Sequence, residues 1–235
     1  MRLRTCRLWY SLATLFLAAC GGGGSDGGGN VGGYAVAQAW TTLLTRPSTW
    51  TTSGVASDGQ TWQLASTFTP EADALFPPFG QTARRTTQLT EFAINASPQG
   101  GAAITMFFSG DAPDPPTLLG DQDDTGQCGA TIRRSTPPQD AQPGQSGELA
   151  LVRDLINCTQ TNAWNGLRQH DWSLETEGAI VFFCFKTSLL AASGSPLLGV
   201  SNECYETTLA GTLGPSARVS LNIVQPAFEL VTRNY

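Results

Sequence analysis

The sequence predicts an all-β fold: an antiparallel domain of the sandwich type or barrel type, with one short N-terminal helix. Three observations support this. Apolar and polar residues alternate in short runs from residue 48 onward, turn residues separate these runs, and only 14% of the residues are charged. Alternation with a period of two is typical of strands with one buried face, and many short strands separated by turns are typical of sandwiches and barrels.

The helix is predicted over "YAVAQAWTTLLT", residues 34–45. Its apolar residues at 36, 39, 40, 43 and 44 follow the three-and-four spacing of one helical face. Arg46-Pro47 ends it, because the residue before a proline is driven out of the helical conformation.

The first hairpin is predicted around Asp58-Gly59, where glycine supplies the positive φ that a tight turn needs. Its second strand places Trp62, Leu64, Ser66 and Phe68 on one face. A second hairpin joins "RRTTQLTEFAINAS" to "AAITMFFSG" through the turn "PQGG", and residues 109–127 are predicted to be a loop rich in Pro, Asp and Gly.

Seven further runs, most of them bounded by Gly, Pro or Asn, bring the total to around eleven strands. They are "CGATIRRST", "GELALVRDLINCT", "HDWSLETEG", "AIVFFCFKTSLL", "SNECYETT", "RVSLNIV" and "FELVTRN". We predict one continuous β domain over residues 34–235. The alternative division gives two subdomains, 34–108 and 128–235, separated at the loop.

Four cysteines of the β domain are expected to form two disulfides. Cys184 and Cys204 both lie ten residues from Gly194, so antiparallel pairing about that turn places them opposite each other. Cys128 and Cys158 flank a Pro/Gln/Gly-rich loop in the same way. We therefore predict that Cys128 pairs with Cys158 and Cys184 with Cys204. No C-x-x-C spacing is present, so no metal site and no cofactor are expected.

The N-terminal residues have the layout of a secretory signal peptide. Arg2, Arg4 and Arg7 precede a short apolar run that ends in small residues at position 19. The tetrad Leu17-Ala18-Ala19-Cys20 resembles the lipobox of bacterial lipoproteins, and the chain also resembles the glycine-tethered lipoproteins of Gram-negative bacteria. The resemblance implies that residues 1–19 are removed and that Cys20 carries palmitate-type acyl chains.

Residues 20–33 are then a lipid anchor and a glycine-rich tether, since nine of the thirteen residues after Cys20 are glycine. Such a segment spans roughly 20 Å as a flexible coil. In the lipoprotein family an Asp after the cysteine signals retention in the inner membrane, and here Gly21 stands there. The resemblance therefore implies a protein of the cell envelope, anchored by lipid to the outer membrane.

Charge and the catalytic patterns narrow the function classes. Without residues 1–19 the chain keeps ten basic and 19 acidic residues, a net charge of −9, which disfavours nucleic acid as a partner. The only histidine, His170, lies in no nucleophile motif and is expected to be a partly exposed residue at the start of a strand. Glu175 and Glu177 are expected to share the wet face of a strand.

Two further features carry weaker functional hypotheses. Residues Asp121, Asp123 and Thr125 before Gly126 look like the opening of a calcium loop, but Ile132 stands where the closing Glu is needed. Trp164, among polar turn residues, is the candidate for binding a sugar or a partner protein. We predict no catalytic residue and a noncatalytic binding or envelope-structural role, with an envelope protein or carbohydrate as partner; the alternative is a hydrolase of envelope or extracellular polymers.

Overall fold

The structure is a computed structural model that describes residues 32–109, 115–159 and 163–235. The predicted signal peptide, Cys20 and residues 21–31 of the predicted tether lie outside the described residues. In the described part of the chain, no helix has the length and apolar character needed to cross a bilayer.

One helix and twelve strands make up the described residues. The helix α1 covers Val36–Thr45. The strands are β1 Ser48–Val55, β2 Thr61–Phe76, β3 Gln81–Ile94, β4 Ser97–Ser109, β5 Thr117–Asp123, β6 Cys128–Arg134, β7 Ser146–Leu155, β8 Trp164–Glu177, β9 Ile180–Ala191, β10 Leu197–Thr207, β11 Leu213–Ile223 and β12 Phe228–Arg233.

The strands form a closed antiparallel barrel in which each strand pairs with its neighbours in the sequence. The barrel closes between β1 and β12, where Ser53 lies opposite Arg233. The prediction of an all-β domain of barrel type with one short helix is thus confirmed. Pairing continues from β4 through β5 to β6, so residues 117–123 of the segment proposed as a subdomain boundary belong to the barrel wall.

Apolar residues point into the barrel because of the period-two pattern. In β2 the residues predicted to share one face do so: Leu64, Ser66 and Phe68 are buried, whereas Thr61 and Gln63 are exposed. The largest cluster of buried side chains combines the helix with inward-facing residues of the strands.

Helix α1 fills one end of the barrel, which we call the helix end. Its neighbours are the connections that follow β4, β6 and β10. The indole of Trp40 donates a hydrogen bond to the carbonyl of Pro116 (2.8 Å). The hydroxyl of Thr42 donates one to the carbonyl of Gly211 (3.2 Å). Because up-and-down strands place alternate turns at opposite ends, the turns after β5, β7 and β9 lie at the other end, the open end.

Two predicted loops are wrong. The turn between β3 and β4 lies at Asn95-Ala96, both with positive φ, and not at "PQGG". Those four residues belong to β4, where Gly100, at φ 124°, lies at a break in register. Residues 117–123 of the predicted loop form strand β5, in which both leucines are buried: Leu118 in the main core cluster and Leu119 in a separate cluster with Phe76 and Phe107.

Candidate binding cavity

A cavity of about 190 Å³ lies inside the barrel, toward the open end. Its walls come from β3, β4, β5, β8, β9 and β10. The lining residues are Gln88, Ile104, Met106, Leu118, Asp121, Arg168, His170, Phe185, Thr187, Leu189, Ser201 and Glu203. Ile104 and Leu189 are 38% and 39% exposed, so the cavity meets solvent beside them. Its lining combines apolar and polar side chains, a composition typical of small-molecule sites.

His170 lines this cavity and is only 4% exposed. The predicted placement at the start of a strand is wrong, because β8 begins at Trp164 and His170 lies at its centre, facing inward. Its ring stacks on Phe185 with 5.1 Å between ring centroids. Its Nδ1 lies 3.0 Å from the hydroxyl of Thr187, whereas its Nε2 has no hydrogen-bond partner among the described residues.

The environment keeps the imidazole of His170 neutral. Burial and, to a smaller extent, the nearby charge of Arg168 lower its pKa from 6.5 to about 4, although the charge of Asp121 partly opposes them. A neutral imidazole has one acceptor nitrogen. If Nδ1–H donates to the hydroxyl of Thr187, then Nε2 is a hydrogen-bond acceptor that lacks a donor.

Glu203 supplies a second polar group, which is half-buried. Its Oε2 accepts a hydrogen bond from the hydroxyl of Tyr205 (2.6 Å) and another from the amide of Gln88 (2.7 Å). Burial raises the pKa of Glu203 above its ordinary value; the two hydrogen bonds oppose this effect but do not cancel it. Both partners are neutral, and no basic side chain of the described residues forms an ion pair with Glu203. Its carboxyl group therefore lacks a counter-charge.

The bond between Gln88 and Glu203 crosses the barrel, since β3 and β10 are not neighbours in the wall. It therefore connects two separate parts of the cavity wall, as the bonds from Arg168 on β8 to Asp121 on β5 also do.

Arg168 forms a third polar group with two carboxylates. Its two Nη atoms donate to the oxygens of Asp121, both at 2.8 Å, and its Nε donates to Asp154 at 2.6 Å. Burial alone would lower the pKa of Arg168, but these two carboxylates more than offset that and the pKa is raised. Gly129 on β6 makes room for the group, because a Cβ there would overlap the guanidinium of Arg168.

A second recess of about 180 Å³ adjoins the cavity and shares Ile104, Asp121 and Arg168 with it. It also contains Asp123, Gln127, Cys128 and Asp154. The carboxylate of Asp123 accepts hydrogen bonds from the backbone and hydroxyl of Thr125 and from the backbone of Gln127. The residues of the calcium-like pattern are thus engaged with Arg168 and with their own turn.

The predicted disulfide pairing is confirmed. Cys128 is bonded to Cys158, with 5.1 Å between their Cα atoms, and Cys184 to Cys204, with 4.0 Å. The second pair links directly opposed residues of β9 and β10. The first pair ties the residues that follow β7 to the beginning of β6, beside the recess. A disulfide of this loop length stabilises a fold by roughly 3 kcal/mol.

The structure places Trp164 beside the first disulfide. Its ring packs against the cluster of Cys128, Ala130 and Leu155, and the guanidinium of Arg153 lies 4.0 Å above it. Trp164 does not line the cavity. The hypothesis that it binds a sugar or a partner protein stays a prediction.

Glu175 and Glu177 lie on the same face of β8, as predicted, and that face is the outside of the barrel. Both form ion pairs with Arg218, and Glu177 also pairs with Arg233 at 3.1 Å. These carboxylates are engaged with arginines and lie apart from the cavity.

The cavity brings together residues that the sequence did not single out as a site, above all Glu203, Gln88 and Arg168. The signal was present but weak: Ser201 and Glu203 occupy alternate positions on the inward face of β10, where apolar residues are expected. Within the described residues, no hydroxyl or thiol contacts Nε2 of His170, so the hydrogen bond between nucleophile and base of a serine hydrolase is not formed there.

Comparison with known protein families, with curated proteins and with solved structures found no match.

Proposed function

We propose that this protein is a lipid-anchored binding protein of the cell envelope, attached to the outer membrane through Cys20, whose barrel takes up a small organic ligand. The observation that carries the proposal is the unpartnered Nε2 of His170 inside a cavity lined by polar groups. Leaving a buried polar atom without a partner costs about 1–3 kcal/mol, a cost that a bound ligand removes.

The size of the cavity limits the ligand. A cavity of about 150 Å³ lined by apolar residues is large enough for benzene. The space of about 190 Å³ therefore fits a molecule with one ring, such as a small aromatic compound or a single sugar unit. A polymer would have to present one such unit at its end.

The direction of the chain supports this role. Tyr34 pairs with Ala141 in the connection after β6, so the chain enters the barrel at the helix end. The cavity opens at the opposite end of the barrel. The point where the chain enters the barrel is thus at the end remote from the opening.

The test is a screen of single-ring compounds against the mature protein in detergent micelles, read by ligand-observed NMR. We expect hits that are lost in Ser201→Phe, which fills the cavity from β10. Ser53→Phe, on the exposed outer face of β1, should keep them. Hits that survive Ser201→Phe, or no hits at all, would contradict the proposal. Turnover of a compound that His170→Ala abolishes would favour the hydrolase alternative.

The anchor is tested separately. Mass spectrometry of the mature chain should find Cys20 at the amino terminus with acyl groups attached. Cys20→Ser should move the protein from the membrane fraction to the soluble fraction. An unmodified Cys20 would overturn the anchoring part of the proposal and leave the cavity unaffected.

A further inference from the structure

Two polar groups of the cavity lack a matching donor: the carboxyl of Glu203 has no counter-charge, and Nε2 of His170 is an unpaired acceptor when Nδ1–H donates to Thr187. Nε2 of His170 has no partner, and the carboxyl of Glu203 is bound only by neutral donors. Three of the five N–H groups of Arg168 are already used on Asp121 and Asp154. A ligand that carries N–H donors satisfies these acceptors, whereas a ligand rich in acceptors does not.

The charges point the same way. Asp121, Asp123, Asp154 and Glu203 line the cavity and its recess, against the single guanidinium of Arg168. Asp121 and Asp154 share that guanidinium, so the group of three keeps one excess negative charge. An anion entering from the recess meets like charge, and a cation is attracted.

Five residues of the cavity wall are apolar. Met106, Leu118 and Phe185 belong to the main core cluster, and Ile104 and Leu189 stand at the opening. These five side chains carry no charge and can contact the apolar part of a ligand. The ligand that fits carries its charge at one end and an apolar body at the other.

We propose that the cavity selects a small organic cation: a primary or secondary amine that carries an apolar group of about one ring, with its ammonium group at Glu203. The inference rests on the proposed function and names the ligand class of the same site. The ammonium supplies the counter-charge that Glu203 lacks, and a second N–H or O–H of the ligand can reach Nε2 of His170.

The experiment compares three probes of nearly equal shape: benzylamine, benzyl alcohol and benzoate. Each is titrated into the mature protein in detergent micelles at pH 7.5, and its Kd is measured by calorimetry. We expect benzylamine to bind at least tenfold more tightly than benzyl alcohol and benzoate to bind most weakly. Glu203→Gln should remove most of the preference for benzylamine and leave benzyl alcohol unchanged.

Glu148→Gln is the matched control, because it removes the same charge from the outer face, where Glu148 pairs with Arg133. It should preserve the preference for benzylamine. If benzyl alcohol or benzoate binds as tightly as benzylamine, the cation inference fails while the proposed function stands. If benzylamine does not bind, or if its preference survives Glu203→Gln, the inference is also overturned; the screen of single-ring compounds decides the proposed function independently.

Discussion

Glu203 and His170 are ionisable side chains that the barrel surrounds, and burial moves their pKa values in opposite directions. Burial favours the neutral form of each group, so the pKa of the acid rises and that of the base falls. Each group therefore makes the stability of the fold depend on pH, with opposite sign.

For Glu203 the unfolded chain ionises at lower pH than the folded protein. The free energy of unfolding therefore falls as the pH rises above 4.5 through the folded pKa. Glu203→Gln removes this ionisation, and its amide oxygen can still accept from Gln88 and Tyr205. We expect the variant to be more stable by about 1 kcal/mol at pH 8 and no more stable at pH 4, measured by urea unfolding.

Glu148→Gln provides the contrast. Its partner Arg133 lowers the pKa of Glu148, so the native group contributes stability at neutral pH that is lost as the pH falls. Because this ion pair is on the surface, the effect should be small. A Glu203→Gln variant that is less stable than the native protein at pH 8 would contradict the account of Glu203.

For His170 the unfolded chain binds a proton near pH 6.5, whereas the folded protein does so only near pH 4. The free energy of unfolding therefore falls as the pH drops from 6.5 to 4, by about 3 kcal/mol at 1.4 kcal/mol per pH unit. Arg168 and Asp121 are the charged groups that act on His170, with opposite sign.

His170→Asn tests this account, since it keeps a polar contact for Thr187 and removes the titration. The difference in unfolding free energy between native protein and variant should shrink as the pH falls from 6.5 to 4. A difference that stays constant over that range would show that His170 is not held neutral by the fold.

At the scale of elements, helix α1 supplies core that the strands alone do not. A barrel of twelve strands encloses more space than its own inward side chains fill, so a large element must occupy one end. Trp40 is 1% exposed and stacks on Phe185, with 5.6 Å between ring centroids. Phe185 stacks in turn on His170, so the helix supports a wall of the cavity.

Trp40→Ala should therefore lower the free energy of unfolding by about 3–5 kcal/mol. Trp40→Phe keeps an aromatic ring but leaves the carbonyl of Pro116 without its donor, and should cost about 1–2 kcal/mol. Chemical denaturation measures both. Gln38→Ala, on the exposed side of α1, is the control and should change stability by under about 0.5 kcal/mol.

The calcium-like pattern lies on strand β5 and the turn that follows it. Asp121 lies at the end of β5 and points inward to Arg168, whereas Asp123 organises the turn that follows. The two carboxylates alternate along the chain as in a calcium loop, yet each is bound by different partners: Asp121 by Arg168, and Asp123 by Thr125 and Gln127.

At the scale of the whole molecule, the fold depends on the seam between β1 and β12. This pairing joins the first and last strands of the described chain and closes the barrel. Its partners are far apart in sequence, so the loop entropy it costs is the largest of any strand pair.

Gly54 lies at the seam, where the strands approach closely. A Cβ at this position would overlap the carbonyl oxygen of Val231 on β12. Gly54→Ala should therefore lower the free energy of unfolding by about 3 kcal/mol, measured by urea unfolding. Ser53→Ala, whose side chain is exposed on the outer face, should be nearly neutral. Equal stability of the two variants would show that β1 and β12 can move apart at Gly54 without loss of stability, and would contradict this prediction.

The sequence by itself determined the elements that depend on local patterns. Alternation of apolar and polar residues sets the strands and their faces, the spacing of residues 36–44 sets the helix, and the position of Gly194 between Cys184 and Cys204 sets a disulfide. Strand β5 and the Asn95-Ala96 turn were missed because glycines and prolines nearby gave stronger local turn signals.

Only the tertiary structure decided the cavity. Alternation shows that Gln88 and Glu203 each lie on one face of a strand, but not that the two faces meet across a closed barrel, 115 residues apart in sequence. The burial of His170 depends in the same way on closure, since an identical strand in an open sheet would leave that face wet. The local sequence pattern determines which side chains point into the barrel. The partner that such a side chain contacts depends on how all the other strands are placed.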